Sequence, residues 1–238
     1  MMFALVAATA AHAATGCEAA LREAASTNDV HKPLLVHSMP KTGSTTVRTF
    51  LESLRVPDLK ICSWLPSLYD ASMRTLWLDG KLSSAHIAAF KRRVLKDGCH
   101  VHKDFPVGHC PIDEASGLKG YGLQFKLALF PEARVLWLRR NTTDWYRSLE
   151  RWQRSHPQVY HRGTTARVTA ITSYEACLRE VLVMKELRPS QVLMLDVDAL
   201  DLSKLAKFLY PSLPLACLPA NWSSIRANAQ VYGEDTAS

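Results

Sequence analysis

LLVHSMPKTGSTTVRTFLESL, residues 34–54, changes character twice within one short stretch. Leu34-Leu35-Val36 is an apolar run of the kind that forms a buried strand. Pro40-Lys41-Thr42-Gly43-Ser44-Thr45-Thr46 is a tight polar loop. Val47, Phe50, Leu51 and Leu54 then recur at helical spacing. Strand, loop and helix in this order aim backbone N–H groups and the positive end of a helix at one point, a natural seat for an anion such as phosphate. Gly43 allows unusual dihedrals and close backbone approach. Lys41 brings a mobile positive charge, and Ser44, Thr45 and Thr46 bring hydroxyl donors.

Outward from this loop, the bulk properties narrow the field. A chain of 238 residues with 47% hydrophobic content is long enough for one globular domain with a sizeable core. A net charge of +7 and a pI near 9.2 suit an anionic ligand or substrate. No aromatic-rich basic repeat or zinc-finger spacing points to nucleic acid. Residues 1–14, apolar and small with Ala11-His12-Ala13 as a cleavage-like triplet, read as a signal peptide or a truncated N-terminal anchor. The run is too short to span a bilayer, so no stable membrane span is expected. Six cysteines allow up to three disulfides in an oxidising compartment, or buried free thiols. The leader favours the secretory pathway, Golgi lumen or secretion; a cytoplasmic location follows if the leader is a gene-model artefact. Asn141-Thr142-Thr143 and Asn221-Trp222-Ser223 are formal glycosylation sequons.

Along the chain, residues 17–27 read as a short helix and 56–66 as a Pro-punctuated connection. Residues 67–96 read as helical, with Ser83-Ser84 as a start signal and Lys91-Arg92-Arg93 as a solvated basic face. A strand is expected over 99–106, a helix over 120–130, a buried strand over 134–138 and a helix from Asn141-Thr142-Thr143-Asp144. A long helix follows over 164–187, a strand over 191–195, and a turn and helix over 196–210 with Asp201 and Ser203 as capping candidates. Alternating strands and helices predict an α/β fold of three α/β/α layers around a central parallel sheet. Ligands of such sheets bind beyond the carboxyl ends of the strands. Three of those ends carry reactive chemistry: the Lys41 loop, Lys103-Asp104 and Arg140.

Taken together, these segments resemble the sulfotransferases that use 3′-phosphoadenosine 5′-phosphosulfate (PAPS). Pro40-Lys41-Thr42-Gly43-Ser44-Thr45 is similar to their 5′-phosphosulfate loop. Arg140, followed eight residues later by Ser148, is similar to their 3′-phosphate segment. Residues 192–200 resemble the late strand and turn of the same fold. The resemblance implies a P-loop NTPase-like sulfotransferase fold, with a single domain over 28–238. It implies PAPS as the sulfate donor, no metal requirement, and a hydroxyl-bearing acceptor, either a glycan or a small molecule. Carried over by position, Lys41 would contact the 5′-phosphate and the bridging oxygen. Thr42, Gly43, Ser44, Thr45 and Thr46 would cradle that phosphate, and Arg140 and Ser148 would hold the 3′-phosphate. Asp104 occupies the segment where the family's general base often lies, with His102 as the next candidate. Two departures stand out. Thr142 replaces the usual Pro, the C-terminal Arg-Lys-Gly loop is missing, and Arg226 is the nearby substitute. The likeness is therefore to the compact, divergent members.

Three other readings compete. Leu193-Met194-Leu195-Asp196 mimics the strand of a P-loop kinase or NTPase that carries its metal-binding Asp, but Lys41 precedes Gly43 and no GK[ST] occurs. Cys99, His100 and His102 with His109 and Cys110 are zinc-ligand types, without paired ligand spacing. A non-catalytic nucleotide-binding protein of the same fold is the third.

Overall fold

The computed structural model describes residues 16–39, 42–62, 75–76, 79–103, 122–155 and 167–219. In chain order the elements are helix α1 (residues 16–26), strand β1 (Leu34–Val36), helix α2 (Ser44–Ser53) and strand β2 (Ile61–Cys62). Helix α3 (Ser84–Leu95), strand β3 (Val101–Lys103), helix α4 (Gly122–Leu129) and strand β4 (Arg134–Arg139) come next. Helices α5 (Thr142–Ser155) and α6 (Arg167–Leu187), strand β5 (Val192–Asp196) and helix α7 (Leu202–Leu209) follow, with a 3-10 turn over Leu215–Cys217. The described chain divides into two compact units interleaved in sequence. One takes Asp29–Ser44 and Lys60–Leu200; the other takes the residues up to Asn28, Thr45–Leu59 and those from Asp201 on.

The first unit holds a five-stranded, wholly parallel sheet in the order β2-β3-β1-β4-β5, flanked by helices. This is the expected α/β class. The register puts Leu35, Val135, Trp137, Val192 and Met194 on one face, where they pack with Phe90, Phe125, Trp145 and Tyr174 from the helices. On the opposite face Leu34, Val36, Leu136, Leu138 and Leu195 are also buried. Burial of both faces explains why the strands read as continuous apolar runs rather than alternating ones. Chain order departs from spatial order at the sheet centre. From β1 the chain moves outward to β2 and β3; from β4 it moves the other way to β5. The switch point of the sheet therefore lies between β1 and β4, the place where such folds bind ligands.

Local chemistry accounts for the boundaries. Ser83 caps α3 by accepting from the His86 N–H, and the His86 ring accepts from the Ser83 N–H in return, a reciprocal capping box. The helical stretch expected over 67–96 is interrupted here. Asp79-Gly80 forms a turn with Gly80 at φ +65°, so α3 starts afresh at Ser84. Residues 67–74 lie outside the described set. Strand β2 falls inside what reads in sequence as a plain connection. Two residues show no alternation, and β2 is recognisable only through its pairing with β3 and the Cys62–Cys99 disulfide.

The second unit contains α1, α2 from Thr45 on, and α7. Ala24, Val47, Phe50, Leu51, Leu202, Leu205 and Leu209 are its buried apolar positions, at the spacing expected of amphipathic helices. Asp201 caps α7 by accepting from the Ser203 N–H, as its sequence position suggests. Cys17 and Cys217 are joined by a disulfide with Cα atoms 5.2 Å apart, and the Tyr210 hydroxyl donates to Asn28 Oδ1 at 3.0 Å. Cys177 is disulfide-bonded as well, and no free thiol occurs among the described residues. No helix of the described residues is long and apolar enough to cross a membrane.

The Cys17–Cys217 bridge spans 200 positions of sequence. Replacing both cysteines with serine is expected to lower stability by about 2–4 kcal/mol, mainly by freeing the unfolded chain. The urea midpoint at constant slope measures this. An unchanged midpoint would show that the bridge constrains nothing.

Candidate anion-binding site

The loop after β1 leaves the sheet beside the switch point. His37 N–H donates to the Leu136 carbonyl at 2.9 Å, so pairing with β4 continues one step past the strand. The Thr42 hydroxyl donates to the Met39 carbonyl at 2.6 Å and closes the turn from inside. Thr42 is fully buried, and that hydroxyl hydrogen is not available to a ligand. Gly43 has φ +88°, a conformation that a side chain would strain. Space is not the constraint, since a Cβ there would meet Val197 Cγ1 and Cγ2 at 3.4 and 3.7 Å, ordinary van der Waals distances. Ser44 is half-buried and opens α2; Thr45 is exposed and Thr46 is buried. Pro40, Lys41 and Asp104 lie outside the described residues, as do His109, Cys110, Asn221 and Arg226.

Arg140 stands one residue past the end of β4, the strand paired with β1. Thr42, Gly43 and Arg140 thus follow two adjacent parallel strands. Tyr174 on α6 holds the Arg140 backbone at both polar groups. Its hydroxyl accepts from Arg140 N–H at 2.9 Å and donates to the Arg140 carbonyl at 3.0 Å. Burial pushes the Tyr174 hydroxyl's pKa up, so it stays protonated and able to donate. Asn141 Oδ1 then accepts from the Thr143 and Asp144 N–H groups at 3.0 and 3.3 Å, which starts α5. Helix α5 buries Trp145, Leu149 and Gln153, one above another, and Ser148 sits half-buried at the margin of that stripe.

Asp196, at the end of β5, faces Arg139 in register. Arg139 Nε and Nη2 reach the two carboxylate oxygens at 2.6 and 2.7 Å, a two-pronged pair. That bond holds the Asp196 carboxyl below the usual carboxylate range. Both oxygens of the acid that mimics a kinase's metal-binding Asp are therefore engaged by a guanidinium.

Beneath the loop lies a polar cluster that sequence reading did not single out. Lys126, only 3% exposed, lies with Nζ 3.0 Å from His37 Nδ1. A lysine ammonium only donates, so Nδ1 accepts and His37 Nε2 carries the ring proton, 4.0 Å from Glu180 Oε2. Glu180 Oε1 accepts from the Leu123 and Gln124 N–H groups at 2.9 and 3.1 Å, capping α4. Burial raises the Glu180 pKa, opposed by those two bonds and by the Lys126 charge. Nothing in the residue order pairs positions 37, 126 and 180. Only the sheet and the α4–α6 contact bring them together.

His102 ends in the core. It is 2% exposed, shares the sheet face of Leu35 and stacks on Phe130 with ring centroids 5.9 Å apart. Burial, then the Lys126 and His100 charges, lower its pKa to about 4. Among the described residues no group of three His, Cys, Asp or Glu is placed to hold a metal ion.

No family model and no curated protein matches the chain. Among solved structures it is similar to a gluconokinase from Sinorhizobium meliloti 1021, with 12% identity and a TM-score of 0.39 over 76% of this chain and 91% of that one. At that score the likeness decides nothing about activity.

The His102 environment makes stability depend on acid. An unfolded chain takes up a proton there near pH 6.5, whereas the folded chain resists it until about pH 4. Stability therefore falls as pH drops through that window, by roughly 3 kcal/mol from this residue. His102→Gln should flatten the acid limb of urea-derived stability between pH 6.5 and 4. An acid limb as steep as that of the parent protein would contradict the assignment.

Proposed function

We propose that the chain is a sulfotransferase that moves a sulfuryl group from PAPS to an acceptor hydroxyl. One observation carries the reading. The Thr42-Gly43-Ser44 turn and Arg140, the two segments read as anion anchors, follow the two parallel strands that flank the switch point. A donor with phosphates at both the 5′ and 3′ positions has a use for both. The sequence likeness of the two segments points the same way, and Asp196 pairs with Arg139 instead of standing ready for Mg²⁺.

The residues divide the work. Gly43 and Ser44 present backbone N–H groups at the start of α2 to the 5′-phosphate, and Thr42 contributes through its N–H, its hydroxyl hydrogen being committed to Met39. Thr45 and Thr46 complete the cradle. Lys41 neutralises charge on the oxygen that departs with the phosphate. Arg140 and Ser148 grip the 3′-phosphate. Asp104 takes the proton of the acceptor hydroxyl as that oxygen bonds to sulfur and the bridging S–O bond breaks, its electron pair staying with the phosphate. Positioning and charge neutralisation supply most of the catalysis in such in-line transfers. A sulfuryl group carries less negative charge than a phosphoryl group, so Lys41 and N–H donors serve without a metal. The acceptor is a glycan or small-molecule hydroxyl. The disulfides favour an oxidising, lumenal or extracellular setting, which suits glycan acceptors.

Adenosine 3′,5′-bisphosphate is expected to raise the melting temperature without Mg²⁺. Arg140→Ala should weaken its binding by about 10- to 100-fold, the loss of a charge-assisted pair. Protection by Mg-ATP alone would instead favour the kinase or NTPase reading.

A further inference from the structure

Arg140 occupies an awkward position in the fold. The β4 ladder ends at Arg139, whose carbonyl accepts from Val197 N–H, and α5 does not begin until Thr142. Arg140 therefore belongs to neither regular element, yet its backbone groups require partners where they are shielded from water. Tyr174 provides one for each, at 2.9 and 3.0 Å, through a single hydroxyl. The Tyr174 ring is 1% exposed and packs on Trp145 of α5 and Trp137 of β4, with centroids 4.8 and 5.9 Å away. A phenylalanine would fill that core position equally well. What the hydroxyl adds is directed at one residue, an arginine at the ligand edge of the sheet.

We propose that Tyr174 is the positioning residue of the 3′-phosphate anchor. Its hydroxyl fixes the Arg140 backbone, while its ring ties the same point to α5, the helix that carries Ser148. The inference rests on the donor reading above and extends it to a residue that does not touch the ligand. A guanidinium whose backbone is locked at both ends loses less freedom when it closes on an anion, which is how preorganisation raises affinity.

The test compares adenosine 3′,5′-bisphosphate with adenosine 5′-monophosphate, which lacks the 3′-phosphate, on the whole chain with its disulfides intact. Tyr174→Phe should weaken the bisphosphate about tenfold and leave the monophosphate unchanged. In transfer assays the donor KM should rise with little change in kcat. In an Arg140→Ala background the Tyr174→Phe change should add nothing, because it acts through the residue already removed. Equal weakening of both nucleotides, no weakening, or a full additional loss in the double variant would each overturn the proposal. Should Tyr174→Phe fail to fold, p-aminophenylalanine at position 174 keeps the ring and a donor but accepts poorly. Selective weakening of the bisphosphate would then support the proposal, and unchanged binding would overturn it. If the parent protein itself does not prefer the bisphosphate, the donor reading fails first and this inference with it, before any substitution is made.

Discussion

The β1–β4 pairing is the constraint on which the ligand edge depends. Leu34, Leu35 and Val36 lie opposite Arg134, Val135 and Leu136, and His37 N–H extends the ladder to the Leu136 carbonyl. Because strand pairing is parallel, both chains leave the sheet at the same end. Because the pair is central and buried on both faces, its register is strongly specified; a one-residue slip would turn apolar side chains to the wrong face. The turn at Thr42-Gly43 and the residue Arg140 inherit their separation from that register. Neither segment is placed by local preference alone.

Below the edge, the interior is not uniformly apolar. Inside a largely hydrophobic layer Lys126 bonds to His37, and Glu180 lies 4.0 Å from the same ring while joining α6 to the start of α4. Buried ionisable groups are costly unless they are paired. Here the lysine finds an imidazole nitrogen and the carboxylate finds two backbone N–H groups. The same Lys126 charge helps to keep His102 neutral. Electrostatics in this layer are therefore shared between strand ends and helices, and substituting one member should be felt at the others.

Much of the architecture was legible in the sequence because the strands are buried on both sides and announce themselves as apolar runs. Ser83 and Asp201 were readable as caps for the same reason that they act as caps: a short side-chain oxygen ahead of an amphipathic helix. Gly43 was readable because Lys, Gly and hydroxyls crowd one turn. The rest depends on distance in space rather than in sequence. Strand β2 is two residues long and carries no pattern of its own. The turn at Asp79-Gly80 is hidden within a helical composition. Tyr174 reads as one more buried residue of a long helix, beside Ser173, Cys177 and Val181; its hydroxyl acquires a role only when α6 packs against the end of β4. His102 looks like a strand-end base until the register turns it into the core.

In the proposed function, two phosphate anchors on adjacent strands hold a sulfate donor for transfer. Incubation with PAPS labelled at sulfur and a panel of glycans and small alcohols tests it most directly, with Lys41→Ala alongside. Labelled sulfate is expected on at least one hydroxyl acceptor, with a loss of about 100-fold or more for Lys41→Ala, the scale set by removing a group that stabilises developing charge. Transfer undiminished by Lys41→Ala, or transfer of phosphate from Mg-ATP with no sulfate moved, would contradict it.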